Sequence, residues 1–254
     1  MTFFRCAAIV AAVVVSAALP AVVRADASMG QLVYNFTYSA NQSITARDSA
    51  NSLENPSEGG GLAGGSNSGE SHYAGNLTDK GTMTVEIVKK QPDGTLVVTI
   101  SEQGENTRRA PAAECVVYGN THVLCDPNKT VYTEEYTLLR FLGANFVNPS
   151  QLDASRHWSI VENSGDGMSV QADYTINSNN SGIMQIAEKR SVKESGAGHL
   201  TTDIETKIGY DFTRSVPTSV DEYATQYTDS GLNGTSRTTY QTTLQLVSDT
   251  MAKT

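Results

Sequence analysis

Met168-Ser-Val-Gln-Ala-Asp-Tyr-Thr-Ile-Asn177 and Leu200-Thr-Thr-Asp-Ile-Glu-Thr-Lys-Ile-Gly-Tyr210 are the stretches from which the fold is read. In the first, Met168, Val170, Ala172, Tyr174 and Ile176 alternate with Ser169, Gln171, Asp173, Thr175 and Asn177; in the second, Leu200, Thr202, Ile204, Thr206, Ile208 and Tyr210 repeat at the same period. A period of two is that of a strand with one buried face. Asn179-Asn-Ser-Gly182 turns from the first into a strand from Ile183 to Lys193, and Glu194-Ser-Gly-Ala-Gly198 turns from that into the second. Two more strands, around Tyr223 to Tyr227 and Tyr240 to Leu246, flank Ser230-Gly-Leu-Asn-Gly234. Long strands joined by tight turns make an antiparallel meander. The 14 threonines from His199 onward put polar groups on both faces. One face of this sheet therefore meets water or lines a wet cavity.

Working back towards the N-terminus, Leu32, Tyr34, Phe36 and Tyr38 form the apolar phase of another half-buried strand. Residues 51–69 hold Gly59-Gly-Gly61 and Gly64-Gly65, with only Leu53 and Leu62 as large apolar groups. So few cannot offset the entropy of ordering, and the stretch reads as a flexible loop. A strand through Met83, Val85 and Ile87 then returns through Leu96, Val98 and Ile100 across Gln91-Pro-Asp-Gly94, where Pro presets φ and Gly accepts a positive one. One segment has helical spacing, Thr133 to Leu142. Thr133 suits an N-cap, Glu134 and Glu135 suit the first turn, Leu138, Leu139, Phe141 and Leu142 form an apolar face, and Gly143 suits the C-cap. His157-Trp-Ser-Ile-Val161 opens the second run of strands.

Cys115 and Cys125 flank a hairpin turning at Gly119-Asn-Thr121. With Tyr118 and His122 closing the turn, Val117 faces Val123, Val116 faces Leu124 and Cys115 faces Cys125, so the pair is expected to form a disulfide. An oxidising compartment is expected as well. Arg5, the apolar run from Cys6 to Leu19, and Val23-Arg-Ala25 together read as a secretion leader over residues 1–25, with export to the periplasm or the extracellular space. Loss of Arg5 and Arg24 with that leader takes the formal charge from −9 to −11. Such a balance disfavours nucleic acid and anionic membrane surfaces as partners. No later stretch is apolar for the ~20 residues a membrane helix needs, and residues 26–254 are of a length for one large β domain.

Familiar reaction chemistry is missing from the sequence. There is no Gly-x-Ser-x-Gly elbow and no HExxH, and His72, His122, His157 and His199 stand apart from one another. Asp126-x-Asn128-x-Thr130 starts like a calcium loop, but Val131 stands where glycine is required and Thr137 where glutamate is. No metal site and no cofactor are expected.

The stapled hairpin Cys115-Val-Val-Tyr-Gly-Asn-Thr-His-Val-Leu-Cys125, then Asp126-Pro127, then Leu138-Leu-Arg-Phe-Leu-Gly143, then Trp158 and a meander of long strands, resembles the periplasmic lipoprotein carriers of the LolA/LolB type in its order of elements. That resemblance implies an incomplete barrel with helix in its hollow, where acyl chains bind. The expected fold is thus mainly β, a long antiparallel meander forming a curved sheet or incomplete barrel, with one short helix packed in its hollow. The expected function is non-enzymatic binding of a lipid-like or acylated ligand, lined or covered by Tyr34, Phe36, Tyr38, Leu138, Phe141, Leu142 and Trp158. The same aromatic stripe against a Leu-rich helix also suits a solid core. Two alternatives stand beside it, an envelope or extracellular interaction protein, and a hydrolase with a spatially assembled site.

Overall fold

A computed structural model describes residues 29–47, 70–105, 109–119, 121–147, 156–163, 167–194, 199–230 and 234–251. The leader expected at 1–25 and the Gly-rich stretch at 51–69 lie outside the described residues. Within them are eleven strands and one helix: β1 (Gly30–Arg47), β2 (Glu70–Lys90), β3 (Leu96–Gly104), β4 (Arg109–Gly119), β5 (His122–Cys125), α1 (Thr133–Arg140), β6 (His157–Asn163), β7 (Met168–Asn180), β8 (Ile183–Glu194), β9 (His199–Asp211), β10 (Val216–Asp229) and β11 (Thr235–Asp249). All eleven strands form one antiparallel sheet in the order β5-β4-β3-β2-β1-β11-β10-β9-β8-β7-β6. The late meander and the early hairpins are joined where β1 pairs with β11. The sheet does not close: β5 and β6 are its two free edges, and α1 is the element between them in the chain.

The sheet is strongly curved. Arg190 on β8 donates from Nη1 to Thr121 Oγ1, at the tip of the β4–β5 hairpin, over 3.3 Å. Eight strand-to-strand steps separate β5 from β8, a span of roughly 38 Å if the sheet lay flat at about 4.8 Å per step. The sheet therefore curls until one edge reaches over the other half, giving a concave face and a convex one.

Alternation decides which side chains enter the hollow. Ile176, Ile186, Ile208, Val220, Leu244 and Phe36 stand side by side across six strands and are all buried. The opposite phase faces water: Thr37 and Thr243 share a hydroxyl hydrogen bond of 2.6 Å on the exposed side. The threonines divide accordingly, with Thr206, Thr238 and Thr242 buried on the inner face and Thr239 and Thr243 on the outer. At Gly81 a side chain has no room, since a Cβ would lie 2.0 Å from the Gln103 carbonyl oxygen on β3.

Two local details differ from expectation. The helix begins after Tyr132, whose N–H donates to Glu135 Oε2 at 2.7 Å, so the cap is supplied from the third helical residue and Thr133 is already inside. It ends at Arg140, and Leu142 belongs to the turn beyond. In the stapled hairpin the facing pairs are as expected, Val117 with Val123, Val116 with Leu124 and Cys115 with Cys125. The closing pair is Gly119 with His122, because the register shifts after Val117 and Thr121 takes a φ of 65°. Tyr118 and His122 still meet, their rings 5.3 Å apart. The disulfide forms across Cα atoms 4.0 Å apart.

Candidate functional site

All seven residues expected to line or cover a ligand site, Tyr34, Phe36, Tyr38, Leu138, Phe141, Leu142 and Trp158, lie in one buried cluster in the hollow, none more than 8% exposed. The sheet supplies the floor through Tyr34, Phe36 and Tyr38 on β1 and Trp158 on β6; α1 and the turn after it supply the roof. An eight-residue helix is too short to hold itself in water, so this one owes its existence to docking.

Roof and floor meet around Phe146, a residue the sequence reading did not single out. Its ring lies edge-on to those of Phe141, Trp158, Tyr174 and Tyr210, at 5.1, 6.0, 5.7 and 5.3 Å. Trp158 in turn stacks on Tyr174 at 4.9 Å. Gly143 makes the sharp turn possible with a φ of 93°; its N–H donates to Ser215 O at 2.9 Å and its carbonyl accepts from Tyr210 OH at 2.7 Å. Burial pushes the Tyr210 and Tyr34 phenols well above their ordinary pKa, so both stay protonated donors, Tyr34 to Pro217 O at 2.8 Å.

Beside this apolar cluster runs a polar row. Tyr174, Glu188, Thr206, Glu222, Thr242, Tyr38 and Asp79 are neighbours in register across β7, β8, β9, β10, β11, β1 and β2, all buried in the hollow. Arg140, in the last turn of α1, is placed over it. One guanidinium nitrogen donates to Glu188 Oε1 at 3.1 Å and the other to Glu222 Oε2. Glu188 also accepts from Tyr174 OH at 2.8 Å and Thr206 Oγ1 at 2.7 Å, and Glu222 from Thr137 Oγ1 of α1 at 2.8 Å. Burial alone would lower the pKa of Arg140, but Glu188 and Glu222 together outweigh it and hold the guanidinium above its ordinary value. Burial and the Glu188 carboxylate raise the Tyr174 phenol, which remains a donor. Two buried carboxylates are thus compensated from the helix, through charge and a hydroxyl.

Arg190 belongs to the same cluster but is served differently. Its side chain is 13% exposed, its Nη1 stands 4.0 Å from Glu188 Oε1, and its hydrogen bond to Thr121 is to a neutral hydroxyl. Burial, then repulsion from Arg140, lower its pKa against the pull of Glu188.

Sequence reasoning missed Arg140, Glu188, Arg190 and Glu222. A signal was present in the strand phase: Glu188 and Arg190 continue the inward series of Met184 and Ile186, and Glu222 that of Val220. A charge in the apolar phase of a strand asks for a buried partner.

A shallow, open depression of about 360 Å³ is lined mainly from the convex side, by Thr37, Ser39, Lys80, Gln241 and Thr243, and reaches Tyr38 and Asp79 at the end of the polar row. His122, His157 and His199 are exposed. Asp126 Oδ1 accepts from Asn128 N and Nδ2 at 2.9 and 3.0 Å, closing a turn on itself. Among the described residues no group of three or more His, Cys, Asp and Glu side chains is arranged to hold a metal ion, and no helix is long and apolar enough to cross a membrane. The chain matches no protein-family model and no curated protein.

Proposed function

We propose that the protein is an exported carrier of a lipid-like or acylated ligand, working in the manner of the LolA/LolB-type carriers it resembles, with α1 as the cover of the binding hollow. The observation that carries this reading is the fastening of the roof. The eleven strands pair with one another without α1, and Arg140 and Thr137 on α1 reach Glu188 and Glu222 on the sheet beside the buried leucines. When α1 lifts, the floor of Ile176, Ile186, Ile208, Val220, Leu244 and Phe36 is uncovered and an acyl chain takes the place of Leu138, Phe141 and Leu142. Burial of apolar area drives that exchange at ~25 cal/mol per Å². The two carboxylates are hydrated in the open state, which lowers the cost of parting them from Arg140.

Native mass spectrometry of the protein purified from its own host tests this. The expected result is a retained mass of lipid size that denaturation releases; protein carrying no such adduct, even after incubation with lipid extract from that host, would overturn it. A second reading, an envelope interaction protein, draws on Tyr223 and Tyr227, which stand 49% and 44% exposed on the outer face of β10. In that case the same spectra carry a co-purified polypeptide.

A further inference from the structure

Arg190 is a half-buried cation held by one protein hydrogen bond. A guanidinium has five N–H donors in a rigid fork. Here one nitrogen, Nη1, makes a single hydrogen bond of 3.3 Å to Thr121 Oγ1 and stands 4.0 Å from Glu188. The carboxylates of the cluster are engaged elsewhere. Both oxygens of Glu188 accept from Arg140, Tyr174 and Thr206, and both oxygens of Glu222 from Thr137 and Arg140. A guanidinium mostly withdrawn from water, bonded to one neutral hydroxyl and 4.0 Å from its nearest carboxylate, favours an anionic acceptor that can take its fork.

The setting says which acceptor. On the sheet Arg190 lies between Ala172 and Ile204, one step past the polar row and on the side away from the apolar floor. The next step along is Val170, Val192 and Thr202, of which Val192 and Thr202 are half-buried. The fork therefore stands between the floor beneath α1 and a partly open continuation of the concave face. Glu188 is shared with Arg140, which leaves Arg190 the less compensated of the two cations.

We propose that Arg190 is the anchor for the head of the carried amphiphile, and that this head is an anionic oxygen group, a carboxylate or a phosphate, able to take two guanidinium donors at once. The inference rests on the carrier reading. It adds a preference that an apolar hollow alone does not have: the ligand is selected by its head as well as by its chain.

The test is a fluorescence titration at pH 8 with a polyene fatty acid and with its methyl ester, on the wild-type protein and on R190Q. The wild type is expected to bind the acid on the order of tenfold more tightly than the ester, the gain of one charge-assisted contact. R190Q is expected to bind the acid no better than the ester. Equal binding of acid and ester by the wild type overturns the anchor and leaves the carrier reading standing. Binding of neither overturns the carrier reading and the anchor with it. The wild-type comparison needs no variant, so it decides the matter even where R190Q does not fold.

Discussion

Arg140 and Glu188 sit 3.1 Å apart with side chains 11% and 0% exposed, one on the helix and the other on the sheet it covers. Such a pair contributes little net stability over an apolar substitute of the same shape, because both ions lose their hydration. Removing one member alone is costly. R140M leaves Glu188 and Glu222 without the cation that bridges them, and is expected to lose about 3 to 5 kcal/mol in urea unfolding at pH 7. R140M/E188Q/E222Q, which removes both bridged carboxylates with Arg140 and leaves Arg190 as the cation beside them, is expected to recover part of that loss. A single-variant loss below ~1 kcal/mol would mean that the three residues do not share a buried site.

Phe146→Ala removes the ring on which Phe141, Trp158, Tyr174 and Tyr210 converge, and a buried Phe truncation costs about 3 to 5 kcal/mol. Trp158 is the one tryptophan of the chain, so its emission reports the same site. A red shift is expected together with the stability loss. Unchanged emission would place Phe146 away from Trp158.

The strands were legible because nearly every one keeps a strict two-residue alternation, from Leu32 in β1 to Tyr210 in β9. The stapled hairpin was legible because cross-strand geometry leaves little choice once Val117 faces Val123. The seven residues expected to line or cover a hollow were picked out by strand and helix phase, and the structure buries them in one cluster. The polar row escaped for a physical reason. Glu188 and Glu222 are 34 positions apart in the chain and meet only across Thr206 on the strand between them and beneath Arg140, so neither carries a local sign of the other. Arg140 was hidden differently, since a basic residue in the last turn of a helix is expected on dipole grounds alone. Phe146 lies in a turn without periodicity, where pattern reading has nothing to count.

Arg214 ties the β9–β10 turn together, donating from Nε to Asp211 Oδ2 at 2.8 Å and reaching Asp249 on β11. Burial would raise the Asp211 carboxyl, but the side-chain and backbone hydrogen bonds from Arg214 outweigh it and hold the group below its ordinary 3.8. A carboxyl depressed on folding stabilises fully above its unfolded value and loses that contribution as pH falls through the folded one. D211N is therefore expected to lower the melting point at pH 7, by the equivalent of about 1 kcal/mol or less since Arg214 is partly exposed. The difference from wild type is expected to shrink steadily as the pH is taken below 3.8. A difference that persists unchanged in acid would assign the effect to something other than the carboxylate charge.

The carrier reading depends on α1 being a cover and not a keystone, and native-state hydrogen exchange measures that directly. The amides of Tyr136 and Phe141, bonded to Tyr132 O and Leu138 O, report α1; those of β9, paired on both sides, report the sheet. If α1 lifts from an intact floor, its amides exchange through an opening that costs distinctly less than global unfolding, while the β9 amides exchange only with the whole. R140M then lowers the α1 opening energy further and leaves the sheet closed. Exchange of α1 and β9 at one common free energy, equal to that of global unfolding, would make the helix an inseparable part of a solid core and contradict the carrier.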